Sequence, residues 1–190
     1  MQSANASAIV EEILGILAAA EQREYFGESV SQLAHALQCA ALAQSAGARS
    51  DLVIAALLHD LGHLLDSPDA LREGAVGVIN HDTVAAAYLR ERGFSEDVAA
   101  LVESHVNAKR YLTAVNTAYQ HRLSDASRRT LELQGGPMSK AEQEAFEQHP
   151  LFRECLQLRA WDEEAKYPER RPPGLETYRD LLLQHLAPLA

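Results

Sequence analysis

A His59-Asp60 pair closes the apolar run Ala55-Ala56-Leu57-Leu58, single histidines stand at His35, His81 and His105, and Asp162 follows much further along the chain. Burying an imidazole next to a carboxylate at the end of so apolar a run is costly unless something compensates both. A metal cation does that for the two groups at once. The spacing is 24 residues from His35 to His59, 21 from Asp60 to His81 and 24 from His81 to His105. Each interval holds one helix and one loop, so each helix can deliver a ligand to a centre inside a helical bundle.

Nitrogen and oxygen donors without thiolates suit iron, manganese or zinc and disfavour a structural zinc site. A carboxylate can bridge two ions. His35, His59, Asp60 and Asp162 can therefore hold one metal while His81 and His105 hold another beside it. His63, four residues after His59, is either a further ligand or a hydrogen-bond donor to a substrate near the metals. A zinc-protease HExxH motif is excluded because Asp60 follows the first histidine and no glutamate base lies before the second. His121, His149 and His185 have polar neighbours and read as surface or hydrogen-bonded residues.

The elements that must position these groups are helical, since period-2 alternation is rare. Ile9, Ile13, Ile16 and Leu17 mark a first helix, followed by a loop at Tyr25-Phe26-Gly27-Glu28. A second helix spans about 30–46, with Leu33, Leu37, Ala40 and Ala41 inward and Gly47 beyond its end. The third starts at Asp51 as N-cap and carries the His-Asp pair in its last turns. After a loop over about 65–80, Asp82 caps a helix ending near Gly93, and Ser95 caps another through His105. A helical stretch over 115–133 stops at Gly135-Gly136-Pro137. Ser139 and Glu142 form a capping box for a short helix to Gln148. A helix over 151–166 holds Asp162, and a last one follows Pro172-Pro173-Gly174. The expected architecture is a single all-α domain over residues 1–190.

The formal net charge of −10 argues against nucleic acid as a partner, because phosphate backbones are held by basic surfaces. It leaves room for a small anion in a local basic pocket. Cys39 and Cys155 form no CxxC pair, so neither a disulfide framework nor a zinc-thiolate site is expected. No apolar run approaches the roughly 18 residues that span a bilayer. Glu11 and Glu12 precede any apolar stretch, with no cationic lead, so no signal peptide is expected. Together these suggest a cytoplasmic protein with no membrane partner.

The ordered series H…HD…H…H…D resembles the HD-domain superfamily, mostly metal-dependent phosphohydrolases. Five longer segments sharpen the match: 25–38 from Tyr25 to Gln38, 58–63 from Leu58 to His63, 105–112 from His105 to Leu112, 127–132 from Ser127 to Glu132, and 134–138 from Gln134 to Met138. These resemble the HD-domain diiron phosphonate oxygenases over roughly residues 10 to 185. The Lys109 and Gly135-Gly136-Pro137 segments are not general HD features.

The resemblance implies an HD-domain helical bundle around a mixed-valent Fe(II)/Fe(III) pair held by His35, His59, Asp60, His81, His105 and Asp162, with Asp60 as the bridge. It implies O2 as co-substrate and cleavage of the carbon–phosphorus bond of a 1-hydroxy-2-aminoethylphosphonate or its N-methylated analogue. The products would be phosphate and glycine or glycine betaine. A C–P bond has no oxygen leaving group on its carbon side, so activated water alone breaks it with difficulty, and oxidising the carbon first removes the obstacle. By the same resemblance His63, Lys109, Ser127 and Arg159 contact the phosphonate. Tyr25 occupies an iron position before substrate arrives, and Glu28 receives the substrate's ammonium, while Phe26 leaves room for a more apolar amine pocket. A hydroxylase would supply the 1-hydroxyphosphonate.

Taken alone, Lys109 and Arg159 suit solvated helix faces, and Tyr25 and Glu28 suit a core tyrosine and a first-turn glutamate. Lys109 lies four residues after His105 and Arg159 three before Asp162, so each shares a face with a candidate ligand. Two other readings compete: an HD phosphohydrolase of a nucleotide or small phosphate ester, and a non-catalytic regulatory HD-like module. The complete ligand series weighs against the module.

Overall fold

The computed structural model describes residues 2–25, 28–74 and 77–187. Helices carry the architecture: α1 Gln2–Ala18, α2 Gln32–Ser45, α3 Ser50–Leu58, α4 His81–Glu91, α5 Glu96–Val115, α6 Thr117–Arg122, α7 Asp125–Leu133, α8 Lys140–Glu147, α9 Phe152–Glu164 and α10 Arg179–Leu186. Among the described residues no helix is long and apolar enough to cross a membrane.

Helix α3 is buried on every side, from Leu52 through Leu58. A helix apolar all round must be surrounded, and α3 lies between α2 and α5, with α9 and α10 also against it. The longest helix, α5, packs on α3, α4 and α9 through Val98, Leu101, Val102 and Ala108. α1 adds the predicted stripe, with Ile13 and Leu17 in the main core and Ile9 and Ile16 packed against it. The amide of Gln38 ties α2 to the chain after α9: its Nε2 donates to the Tyr167 carbonyl at 2.8 Å and its Oε1 accepts from the Tyr167 amide at 3.2 Å.

Several boundaries differ from the sequence reading. Asp51 and Asp82 do not cap: Arg49 and Asn80 occupy those positions without a side-chain cap bond. Both acids stand in first turns instead, where the helix dipole still favours negative charge. Ser95 caps α5 as expected, accepting from the Val98 amide, but the helix continues past His105. Val106, Ala108, Lys109 and Thr113 stay buried, and packing extends the helix until Asn116 leaves helical geometry and caps α6. The expected stretch over 115–133 is thereby divided, with Ser124 capping α7. The Ser139–Glu142 capping box is present.

Two small antiparallel hairpins escaped the periodicity argument: β1 Glu24–Tyr25 with β2 Glu28–Ser31, and β3 Arg72–Glu73 with β4 Gly77–Val78. Strands of two to four residues are too short to alternate legibly. Phe26, expected beside an amine pocket, lies outside the described residues.

After α3 the chain turns through a short 3-10 segment, Leu61–His63, packed against α4. A Cβ on Gly62 would lie 1.9 Å from the His81 carbonyl oxygen and 2.7 Å from its carbon. This backbone-on-backbone approach sets the His59-Asp60 turn against the start of α4. Gly62→Ala should therefore destabilise the protein by about 1–3 kcal/mol in urea unfolding and lower its metal content. Gly15→Ala, in α1 with no heavy atom within 4 Å of its Cβ position, should instead be neutral or stabilise by up to about 1 kcal/mol.

Candidate metal centre

Four histidines meet in the core through an arrangement that fixes their chemistry. Each directs Nδ1 at a backbone carbonyl: His35 at Ala165 (2.9 Å), His59 at Ala56 (2.9 Å), His81 at Val78 (3.0 Å) and His105 at Val102 (2.6 Å). A carbonyl only accepts, so every Nδ1 carries the proton and donates. In the neutral rings every Nε2 then presents a bare lone pair. Those lone pairs face one another, His35 to His59 at 3.1 Å and His81 to His105 at 3.0 Å. Two unprotonated nitrogens at that distance repel. Donors bound to one ion at about 2.1 Å stand roughly 3 Å apart, so the spacing is that of ligands around a cation.

The carboxylates complete two groups. His35, His59 and Asp162 form one, and Asp60, His81 and His105 the other, with the potential ligand atoms of each within 4.8 Å of one another. Asp60 also reaches across. Its Oδ1 lies 3.3 Å from His81 Nε2 and 3.6 Å from His105 Nε2, while its Oδ2 lies 3.4 Å from His59 Nε2 and 3.7 Å from His35 Nε2. Asp162 Oδ1 is 3.3 Å from His35 Nε2. Asp60 Oδ2 and Asp162 Oδ1 are buried without any hydrogen-bond partner, which is expensive for carboxylate oxygens unless an ion satisfies them. The donor set fits two adjacent cations bridged by Asp60.

The electrostatics agree. Burial alone would raise the Asp60 carboxyl, but the His59 and His81 rings hold it well below the usual carboxylate range. Asp162 is likewise held well below, by Arg159 and His35 against the effect of burial. Burial opposes protonation of His59, yet Asp60 raises it well above its ordinary value. A proton is thus drawn to where a cation would otherwise sit.

Beside the two groups opens a small cavity of about 40 Å³, walled in part by Tyr25, Glu28, His63, Lys109, Ser127, Thr130, Arg159 and Lys166. Lys109 is buried on α5, and its ammonium donates to Thr130 Oγ1 (2.9 Å) and Gln134 Oε1 (2.5 Å). Burial, and then the neighbouring Arg159 charge, pulls Lys109 down to about 7. Arg159 donates to Tyr119 Oη at 2.8 Å and pairs with Asp162 and Glu163. Tyr25 stacks on the His35 ring at 3.9 Å between centroids. Burial, followed by the charges of Asp60 and Asp162, pushes its phenol well above the usual value. His63 stacks on His81 at 3.9 Å, and its Nδ1 accepts from the Val78 amide at 3.4 Å. It stands outside both ligand groups.

The candidate ligands and the candidate substrate contacts among the described residues converge on one site. His35 comes from α2, His59 and Asp60 from the turn just after α3 rather than from its last turns, His81 from α4, His105 and Lys109 from α5, Ser127 from α7, and Arg159 and Asp162 from α9. Sequence reasoning missed Thr130 and Gln134, which hold Lys109, and Tyr119, which holds Arg159. It also missed Lys166, which reaches Ser127 Oγ (3.3 Å) and Glu28 (3.4 Å). Thr130 and Gln134 lie within recognisable segments, and Lys166 follows Asp162 by four residues, a spacing that was the available signal. Cys39 and Cys155 are buried and free, and His185 is hydrogen-bonded to the Ser95 amide.

Residues 33–148 match the family model described as HD domain. The chain is 43% identical over 157 residues to a hydroxymethylphosphonate dioxygenase of Gimesia maris, covering 82% of this chain and 78% of that protein. It is 36% identical over 169 residues to the [1-hydroxy-2-(trimethylamino)ethyl]phosphonate dioxygenase (glycine-betaine-forming) of Leisingera caerulea, covering 89% and 86%. It is also 38% identical over 187 residues to the uncharacterized protein L432 of Acanthamoeba polyphaga mimivirus, covering 96% and 85%.

Metal analysis of protein purified without chelators should give about two ions per chain, as expected for a two-metal site. Asp60→Ala should lose both, because the shared ligand is gone. Asp162→Ala should keep the ion of the Asp60, His81 and His105 group. Two ions retained by Asp60→Ala would show that this carboxylate does not bridge.

Proposed function

The chain belongs to the HD-domain family and, within it, to the HD-domain phosphonate oxygenases, and from that premise we propose an iron-dependent dioxygenase that cleaves the C–P bond of a short 1-hydroxyphosphonate. The observation that carries this reading is the pair of ligand groups sharing Asp60, set beside a cavity with cationic side chains in its wall. The proposed ligands are His35, His59 and Asp162 on one iron and His81 and His105 on the other, bridged by Asp60, in a mixed-valent state. Such a pair, when bound, supplies the redox chemistry that lets O2 oxidise carbon.

The reaction balances with one O2: the hydroxyl-bearing carbon becomes a carboxylate and the phosphorus leaves as phosphate. A 2-amino-1-hydroxyethylphosphonate would give glycine, its N-trimethylated analogue glycine betaine, and hydroxymethylphosphonate formate. An upstream hydroxylation of a phosphonate would supply the substrate, and residues 1–190 would serve as one catalytic unit.

The protein's own residues bind and orient. Lys109, anchored by Thr130 and Gln134, is poised to meet a phosphonate oxygen, and a dianion there would restore the ammonium charge that burial weakens. Ser127 and His63 line the same space and can donate to other oxygens. Arg159, fixed by Tyr119, Glu163 and Asp162, adds positive potential while its partners hold it in place. Tyr25 lies over His35 and close enough to Asp60 for the carboxylate to act on its phenol, a position from which it can guard a metal until substrate displaces it.

Iron-loaded protein given O2 and hydroxymethylphosphonate, 2-amino-1-hydroxyethylphosphonate or its trimethylated analogue should release phosphate from at least one, with matching O2 uptake and none without O2. Phosphate release from a phosphate ester at equal rates with and without O2 would instead assign a phosphohydrolase. Lys109→Ala should weaken substrate binding roughly 10- to 100-fold, from the loss of a charge-assisted contact of about 1.5–3 kcal/mol, with metal content unchanged.

A further inference from the structure

The substrates named for two relatives both carry a hydroxyl on the carbon bonded to phosphorus, and they differ in that one has a cationic tail. Three carboxylates are among the described residues lining the cavity here: Asp60, Asp162 and Glu28. Asp60 and Asp162 face the histidines. Glu28 is left to answer a positive charge on a substrate's tail, and the protein's own ammonium already stands there. Lys166 Nζ lies 3.4 Å from Glu28 Oε1.

That pairing is incomplete. Glu28 Oε1 is buried yet accepts no hydrogen bond, so Lys166 neutralises its charge without satisfying its directional demand. Lys166 has other partners as well, with Ser127 Oγ at 3.3 Å and Glu163 Oε2 at 3.7 Å. It can give up Glu28 and keep a counter-charge. Two ammonium groups cannot share one carboxylate oxygen in so enclosed a space without mutual repulsion, which a low local dielectric strengthens.

Resting on the phosphonate-binding reading of this site, we propose that Lys166 is its specificity-determining residue: its ammonium competes with a cationic substrate tail for Glu28. A hydroxyphosphonate without a tail leaves the Glu28–Lys166 pair intact. A primary ammonium tail binds by taking Lys166's place and donating to Glu28 Oε1. A quaternary ammonium has no N–H to donate and gains less from the exchange. Removing Lys166 exposes Glu28 as an uncompensated carboxylate, which attracts an ammonium tail and repels a phosphonate without one.

The test is equilibrium binding of methylphosphonate and 2-aminoethylphosphonate, which lack the hydroxyl, to metal-loaded protein under anaerobic conditions by calorimetry. Lys166→Gln and, independently, Lys166→Met should shift the ratio of the two dissociation constants at least about tenfold toward 2-aminoethylphosphonate, the scale of one charge-assisted hydrogen bond. Lys166→Arg, which keeps the cation, should retain the wild-type ratio. In a Glu28→Gln background the Lys166 substitutions should leave the ratio unmoved. Variants that bind both ligands with an unchanged ratio, or one shifted toward methylphosphonate, would overturn the role of Lys166 and leave the oxygenase reading standing. Wild-type protein that binds neither phosphonate would overturn both.

Discussion

Four buried imidazole lone pairs that face one another in two pairs are the constraint on which this structure turns. Each Nδ1 proton is committed to a backbone carbonyl, so no ring can relieve the repulsion by changing tautomer without losing that bond. The only inexpensive solution is positive charge at the centre, and the buried, unpaired oxygens of Asp60 and Asp162 ask for the same thing. The carbonyls are also structural. The Ala165 oxygen at the end of α9 would be an orphan of the helix terminus, and the His35 ring from α2 satisfies it. At His35, ligand orientation and helix termination are therefore one interaction.

Around this centre charge is arranged in pairs that are already partly satisfied. Lys109, Arg159 and Lys166 bring positive charge to one wall of the cavity in a chain whose net charge is −10, and each has protein partners of its own. Lys109 rests on neutral oxygens, which orient it without cancelling its charge. Arg159 and Lys166 rest on carboxylates, which do cancel it. An arriving anion thus meets Lys109 as the least compensated of the three, whereas a cation meets Glu28 already engaged by Lys166. Selectivity in such a pocket depends on which internal pair must open, since breaking a buried pair without a replacement leaves an uncompensated charge.

Much of the fold was legible from local signals. Ser95 and Ser139 cap where their side chains can reach a backbone amide, and the apolar stripe of α1 meets the core. Asp51 and Asp82 misled, because a first-turn acid and an N-cap acid look alike when the boundary is uncertain by a residue or two. The full length of α5 was hidden for a different reason: Lys109 and Thr113 look polar in sequence but are buried, Lys109 donating to Thr130 and Gln134 and the Thr113 hydroxyl donating to the Lys109 carbonyl. The hairpin bearing Tyr25 and Glu28 was too short to show a period.

The sequence by itself determined that metal donors recur at helix-plus-loop intervals in apolar settings, and this dictated a helical bundle with a shared centre. It also determined, through residue type alone, that the site would be nitrogen and oxygen ligated. Only the tertiary structure decided how the donors divide, because the division depends on where α4 and α5 stand relative to α2 and α9, and no local spacing encodes that. The backbone contact at Gly62 sets the first of those positions, and long-range packing sets the rest. The pairing of Lys166 with Glu28 belongs to the same class. The two residues lie on separate elements, so their meeting follows from the chain's closure around the centre and from nothing in either segment.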